Sequence, residues 1–185
     1  MRWIALAILT YVLTLLQTSL VDVITFRVPG VGLVRPELLA VVVVYSALHV
    51  GSILDAMLAG WALGLALDVT TGAGSGVSTA VGPMSLAYAL GAGGIYKIRG
   101  AVFRDKVVTQ CTMTLVFCIS AHGMWILMQW RLAFGDTAGT GIVLMLVQAV
   151  LLAAYTAAIA PALALGLKAG RRWLIASPAG PRRRR

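Results

Sequence analysis

The chain has 185 residues, of which 60% are apolar and 11% charged, and its mean hydropathy is +0.93. Water-soluble domains average about 45–50% apolar and about 25% charged residues, so a soluble domain is excluded: a fold of this size cannot hide that much hydrocarbon from water. A net charge of +9 in a soluble protein would raise nucleic acid as a partner, but here the basic residues cluster between apolar runs, as in membrane proteins, and nucleic acid is not implied.

Runs such as 38–48 and 142–154 are continuously apolar. Membrane β-barrels alternate lipid-facing and lumen-facing residues, so these runs are helical, and the fold class expected is an all-α membrane protein. A hydrocarbon core of about 30 Å takes about 20 helical residues, fewer where a helix is buried in a bundle. Apolar runs and their breakers give six spans, at 3–20, 36–50, 52–68, 78–96, 106–130 and 139–167.

The first span follows Arg2, and no small-x-small cleavage site follows Leu20, so it reads as an uncleaved helix rather than a removed signal. Thr10, Thr14 and Gln17 form a polar stripe on it, which must turn inward or toward a partner because lipid cannot satisfy it. The second span opens on Pro36, with Glu37 against the positive end of its helix. Gly51 suits a helix C′ position, and Ser52-Ile53-Leu54-Asp55 matches a capping box, so a tight turn separates the second and third spans.

Charge supports that break. With six spans and the N-terminus inside, the cytoplasmic side holds 12 of the 15 basic residues and only Arg27, Arg35 and Arg131 lie outside, as the positive-inside rule requires. A single bent helix over 36–68 would instead put Arg2 on the side opposite to the cluster at 97–106 and the C-terminal arginines. In the six-span arrangement Asp55 sits near the inner interface and Asp68 near the outer one. Asp22, Glu37, Asp105 and Asp136 also fall at span ends, so no proton path crosses the bilayer.

Gly60-Trp61-Ala62-Leu63-Gly64 is a GxxxG inside an apolar helix, and Gly91-Ala92-Gly93-Gly94 thins the next; both predict close helix approach within the bundle, with Leu63 facing lipid. The glycine-rich 72–76 reads as an external turn, since no GK[ST] follows it and no strand precedes it. Cys111 and Cys118 lie seven residues apart on one helix face and read as small packing residues, without the spacing of a metal or redox site. His49 and His122 stand on separate helices and read as packing or interface histidines. Gln148 and Tyr155 give the last span a polar stripe. Residues 1–174 form one membrane domain. Residues 175–185 form a disordered basic cytoplasmic tail, a topology signal that also attracts anionic lipid by about 1 kcal/mol per basic residue near the surface. Neither GxSxG nor HExxH occurs, no carboxylate pair has acid–base spacing, and no cofactor is implied; a non-catalytic protein is expected.

Arg35-Pro36-Glu37-Leu38-Leu39 before an apolar run, then Gly60-xxx-Gly64-Leu65-Ala66-Leu67-Asp68 and a glycine-rich turn, resembles the rod shape-determining protein MreD family. Its marks are an R-P-[DE]-L-L entry to the second helix and a G-x-x-x-G-L-x-x-D exit from the third. Glu37 stands where Asp is commoner, and the arginine-rich end after Leu174 is outside the pattern. The resemblance implies a six-helix bundle like the substrate-binding subunits of energy-coupling-factor vitamin transporters. It also implies a non-catalytic scaffold of the bacterial elongation machinery in the inner membrane. Such a scaffold binds a single-span MreC-like protein and through it supports the MreB filament, a SEDS glycosyltransferase and a class B penicillin-binding protein. By matching position the site residues are Arg35, Pro36, Glu37, Gly60, Gly64 and Asp68. Two other classes compete. A vitamin-binding subunit predicts a polar pocket opening outward, but residues 3–20 lack the Ala-x-x-x-Ala by which such subunits often dock. A membrane enzyme would need polar groups converging at one interface, where Asp68 and Glu37 are the candidates.

Overall fold

A computed structural model of the chain describes residues 3–19, 24–72, 82–101, 106–132 and 140–170. They form six helices in chain order: α1 (Trp3–Ser19), α2 (Leu38–His49), α3 (Ile53–Gly72), α4 (Pro83–Ile98), α5 (Val107–Leu132) and α6 (Thr140–Ala169). A short antiparallel hairpin of β1 (Phe26–Val28) and β2 (Gly32–Val34) stands between α1 and α2. Asp22, Asp105, Asp136, residues 78–81 of the expected fourth span, most of the glycine-rich turn and the arginine tail lie outside the described residues.

The bundle is organised around α2. Every residue from Leu38 to Leu48 is buried, and α2 touches each of the other five helices. A helix apolar around its whole circumference has no face to give to water, and this one is enclosed by its neighbours. Its 12 residues span about 18 Å at 1.5 Å per residue, less than the hydrocarbon thickness. By length and composition α3, α5 and α6 are each able to cross a membrane, while α1 and α2 are apolar but shorter. Ile4, Tyr11, Val108, Val143 and Leu165 point outward and are largely exposed, whereas Glu37, Asp68, Ser85, His122 and Thr156 are buried. Apolar outside with polar groups paired inside is the arrangement lipid imposes. The protein is a helical membrane protein.

The break between α2 and α3 falls where expected, with a different termination. α2 ends on Val50 in extended conformation, its N–H on the Ser46 carbonyl at 2.8 Å. Gly51 is not among the described glycines with positive φ, so the left-handed C′ cap expected there is not used. Ser52 begins α3 as its N-cap: its Oγ accepts from the Leu54 N–H at 3.3 Å and its carbonyl from the Ala56 N–H at 3.2 Å. The turn is held from α4, where the Tyr96 hydroxyl donates to the Gly51 carbonyl at 2.7 Å. Arg99, stacked on the Tyr96 ring, donates to the Val50 carbonyl.

The GxxxG joins α3 to α4. A Cβ on Gly60 would lie 2.6 Å from the Tyr88 carbonyl oxygen, and one on Gly64 2.6 Å from Ser85 Cα; side chains are excluded because backbone meets backbone. Leu63, expected to face lipid, is instead fully buried, since it lies on the flank of α3 that is turned into the core. On α4, Gly91 admits the ring of Phe117 and Gly93 the side chain of Met57, while Gly94 meets nothing.

The hairpin is the one element the sequence reading omits. Its turn has Pro29 followed by Gly30 at φ +81, with the Val31 N–H on the Val28 carbonyl at 3.1 Å, which is the pattern of a type II turn. The stripe on α6 holds it in place. Gln148 donates to the Leu33 carbonyl at 3.0 Å and the Tyr155 hydroxyl to the Ile24 carbonyl at 2.9 Å, with the Tyr155 ring against Phe26. Of the α1 stripe, Thr10 bonds back to its own helix at the Leu6 carbonyl, whereas Gln17 reaches across to accept from the Leu39 N–H at 3.4 Å.

Candidate functional site

Five buried polar residues, Glu37, Asp68, Ser85, His122 and Thr156, gather at the end of the bundle where α1 finishes and α2 begins. Pro36 sets the start of α2 and Glu37 is its N-cap residue, yet the Glu37 side chain makes no capping bond. It turns inward instead. Its Oε2 accepts from the Tyr88 hydroxyl of α4 at 2.8 Å, and its Oε1 lies 3.1 Å from His122 Nε2 of α5. The Glu37 N–H, unused by the helix, donates to Thr156 Oγ1 of α6 at 3.0 Å. One residue thus ties α2 to three other helices. The expectation that Glu37 sits at an outer surface against its helix dipole is corrected: it is 6% exposed.

His122 Nδ1 lies 3.0 Å from the Cys118 carbonyl. A carbonyl only accepts, so Nδ1 carries a hydrogen, and Nε2 faces a carboxylate oxygen that also only accepts unless protonated. Glu37 and His122 therefore hold one proton between them and form a pair of zero net charge. Reading His122 as a solitary packing histidine is corrected accordingly. His49 stacks on Tyr45 of its own helix. Cys118 is buried and Cys111 half-buried, and both are free thiols.

Asp68 is also buried and points at the start of α4, where Oδ2 accepts the N–H groups of Gly82 and Ser85, each at 3.0 Å. A helix leaves its first N–H groups without intrahelical partners, and here a neighbouring helix supplies the acceptor. Asp68 does not finish α3 at the surface, as expected, because α3 continues to Gly72. Gly60, Gly64 and Asp68 are four residues apart in turn, hence on one face, and all three meet α4. The second motif is therefore a docking face for α4. Asp68→Ala is expected to lower stability by about 1–2 kcal/mol, the usual value of an N-cap acceptor, with Asp68→Asn between it and wild type. Thermal unfolding in detergent checks this.

Glu37, Asp68 and His122 border a cavity of about 340 Å³, with Arg35 also on its lining. Gln17, Gln148, Trp125, Met84 and Leu67 complete much of the wall. Arg35 and Leu33 are exposed while Glu37 and Asp68 are not, so the cavity runs from Arg35 at its mouth to the carboxylates within. Four of the six sequence candidates are placed together here: Arg35, Pro36 and Glu37 on one stretch of chain, and Asp68 across from them. Gly60 and Gly64 lie deeper along α3. Tyr88 and Thr156 escape the sequence reading, and His122 enters it only as a packing or interface histidine, because isolated polar residues on separate helices carry no spacing signal.

Comparison with family profiles, with curated proteins and with solved structures finds no match.

Proposed function

We propose that the protein is a non-catalytic scaffold of the MreD type, with six helices crossing the bacterial inner membrane and both termini in the cytoplasm. In this reading it binds a single-span MreC-like protein and supports peptidoglycan synthesis and cell shape, with indirect links to the MreB filament, the SEDS glycosyltransferase and the class B penicillin-binding protein. The observation that carries the reading is an apolar cleft of about 700 Å³ between α1 and α6, lined by Ala5, Ile8, Leu13, Leu163, Gly166 and Leu167. Among the described residues α1 packs on α2 and α3, so its face toward α6 is left for another occupant. Small residues on both walls let a helix approach closely, which is how helices associate in lipid.

Co-expression with an MreC-like protein tests this. A Cβ on Gly166 meets nothing within 4 Å, so Gly166→Leu fills the cleft without disturbing the bundle, and recovery of the complex is expected to fall about tenfold, equivalent to about 1.4 kcal/mol. Unchanged recovery would remove the cleft as the partner surface. For topology, Lys97→Cys is expected to be shielded and Arg27→Cys labelled by an impermeant reagent on intact cells lacking Cys111 and Cys118; the reverse pattern overturns the orientation. One observation favours the vitamin-transporter reading, namely the polar-floored cavity. A thermal shift with riboflavin, thiamine or biotin equivalent to about 2.7 kcal/mol at a hundredfold excess over Kd, together with no recoverable partner, would establish that alternative.

A further inference from the structure

The cavity at Glu37 has features that helix packing does not require. It holds about 340 Å³ of open space, within the size range of small-ligand sites, and combines apolar walls with a few convergent polar groups as such sites do. Its charges are of both signs and separated in depth. The Glu37–His122 pair is neutral as a unit, so the remaining formal charges on the lining are Asp68 inside and Arg35 at the mouth. Asp68 accepts two N–H groups at a helix start. A simple anion would be drawn to Arg35 but opposed by Asp68, and a simple cation would meet the reverse. A zwitterion matches both.

The mouth is also apolar. Leu33 and Met145 border it with 53% and 46% exposure, and Met145 belongs to α6, whose outer face meets lipid. α2 is short, about 18 Å at 1.5 Å per residue, so its N-terminal end and the cavity beside it are recessed relative to the longer helices. A headgroup can enter there while its acyl chains stay in the bilayer.

We propose that this cavity is the headgroup site of a zwitterionic phospholipid bearing a primary amine. The ammonium is seated toward the Asp68 carboxylate, with the Glu37 oxygens as further acceptors, the phosphate is held by Arg35, and the acyl chains leave past Met145. A primary ammonium offers three N–H donors to these acceptors, whereas a trimethylammonium offers none and is larger. The site thus distinguishes the amine-bearing lipid from its choline counterpart. The proposal does not depend on the scaffold reading, whose test is recovery of a protein partner.

Native mass spectrometry of the full chain released from micelles containing equal phosphatidylethanolamine, phosphatidylcholine and phosphatidylglycerol tests it. One phosphatidylethanolamine is expected to be retained about tenfold over either competitor, the factor corresponding to one charge-assisted hydrogen bond. Arg35→Gln should weaken retention about tenfold, while Arg27→Gln, an exposed arginine on the nearby hairpin, should leave it unchanged. Asp68→Asn keeps an oxygen to accept from the Gly82 and Ser85 N–H groups but removes the charge, and should abolish the preference over phosphatidylcholine. Equal retention of all three lipids, or equal effects of Arg35→Gln and Arg27→Gln, would overturn the site. Binding of glycerophosphoethanolamine as tight as that of the lipid would overturn the membrane source, leaving a soluble zwitterion as the occupant.

Discussion

Isoleucine at Gly60 or Gly64 is expected to separate α3 from α4 and to prevent recovery of a monodisperse protein from detergent, whereas Leu58→Ile leaves recovery unchanged. The difference follows from what each side chain meets. An added Cβ at Gly60 lies 2.6 Å from a carbonyl oxygen and 2.9 Å from Ala92 Cβ. At Gly64 it lies 2.6 Å from Ser85 Cα and 2.9 Å from the Met84 carbonyl oxygen. These neighbours are mostly backbone of a packed helix and cannot swing aside as the end of a long side chain does. Overpacking a core costs typically 1–3 kcal/mol and more where backbone must move, so about 3 kcal/mol or more is expected here. The displacement also pulls Ser85 and Gly82 away from Asp68. Leu58 is exposed, and its exchange for isoleucine conserves volume on a face that meets lipid. Size-exclusion profiles and unfolding midpoints of the three variants measure the effect, and equal behaviour would remove the claim that the glycines are there for close approach.

How much of this was legible in the sequence depended on whether the signal was local. The helices at 36–50 and 52–68 and the break between them could be read because Pro36 and Ser52 act on their own backbone neighbours, although Gly51 does not cap the helix as its type suggests. The GxxxG was legible for the same reason, as a spacing within one helix, although the identity of the facing helix was not. The hairpin had a local signal too, Pro29-Gly30 between short apolar stretches, but its strands are three residues each, too short for an alternating pattern to stand out. The cavity was legible in half. Arg35, Pro36, Glu37 and Asp68 stood out as charged or breaking residues at span ends. The partners of Glu37, namely Tyr88, His122 and Thr156, come from three further helices, and nothing in the order of residues along one helix states which residue of another it will face. Placing Glu37 and Asp68 at the surface was the consequence: a carboxylate without a visible partner is assigned to water, and partners became visible only with the packing.

The same non-local joins give the second large effect. Glu37→Ala and His122→Ala are each expected to destabilise the bundle by about 3 kcal/mol, near the lower end of the range for removing one member of a buried pair. Loss of Glu37 strands the Tyr88 hydroxyl and the His122 Nε2, and a stranded buried polar group costs about 1–3 kcal/mol. Loss of His122 leaves a carboxylate in the helix interior with Tyr88 as its remaining donor. The double variant should lose much less than the sum, because each single change already forfeits the shared contact; a coupling of about 1–3 kcal/mol is the range for residues in one network. Glu37→Gln should stay close to wild type, since its amide can donate to a neutral His122 Nε2 while its oxygen accepts from Tyr88. That contrast separates the role of the hydrogen bonds in joining α2 to α4 and α5 from the role of the charge. Unfolding in mixed micelles across the four variants supplies the cycle. Strict additivity of Glu37→Ala and His122→Ala would mean that the two side chains, 3.1 Å apart, do not act as a pair.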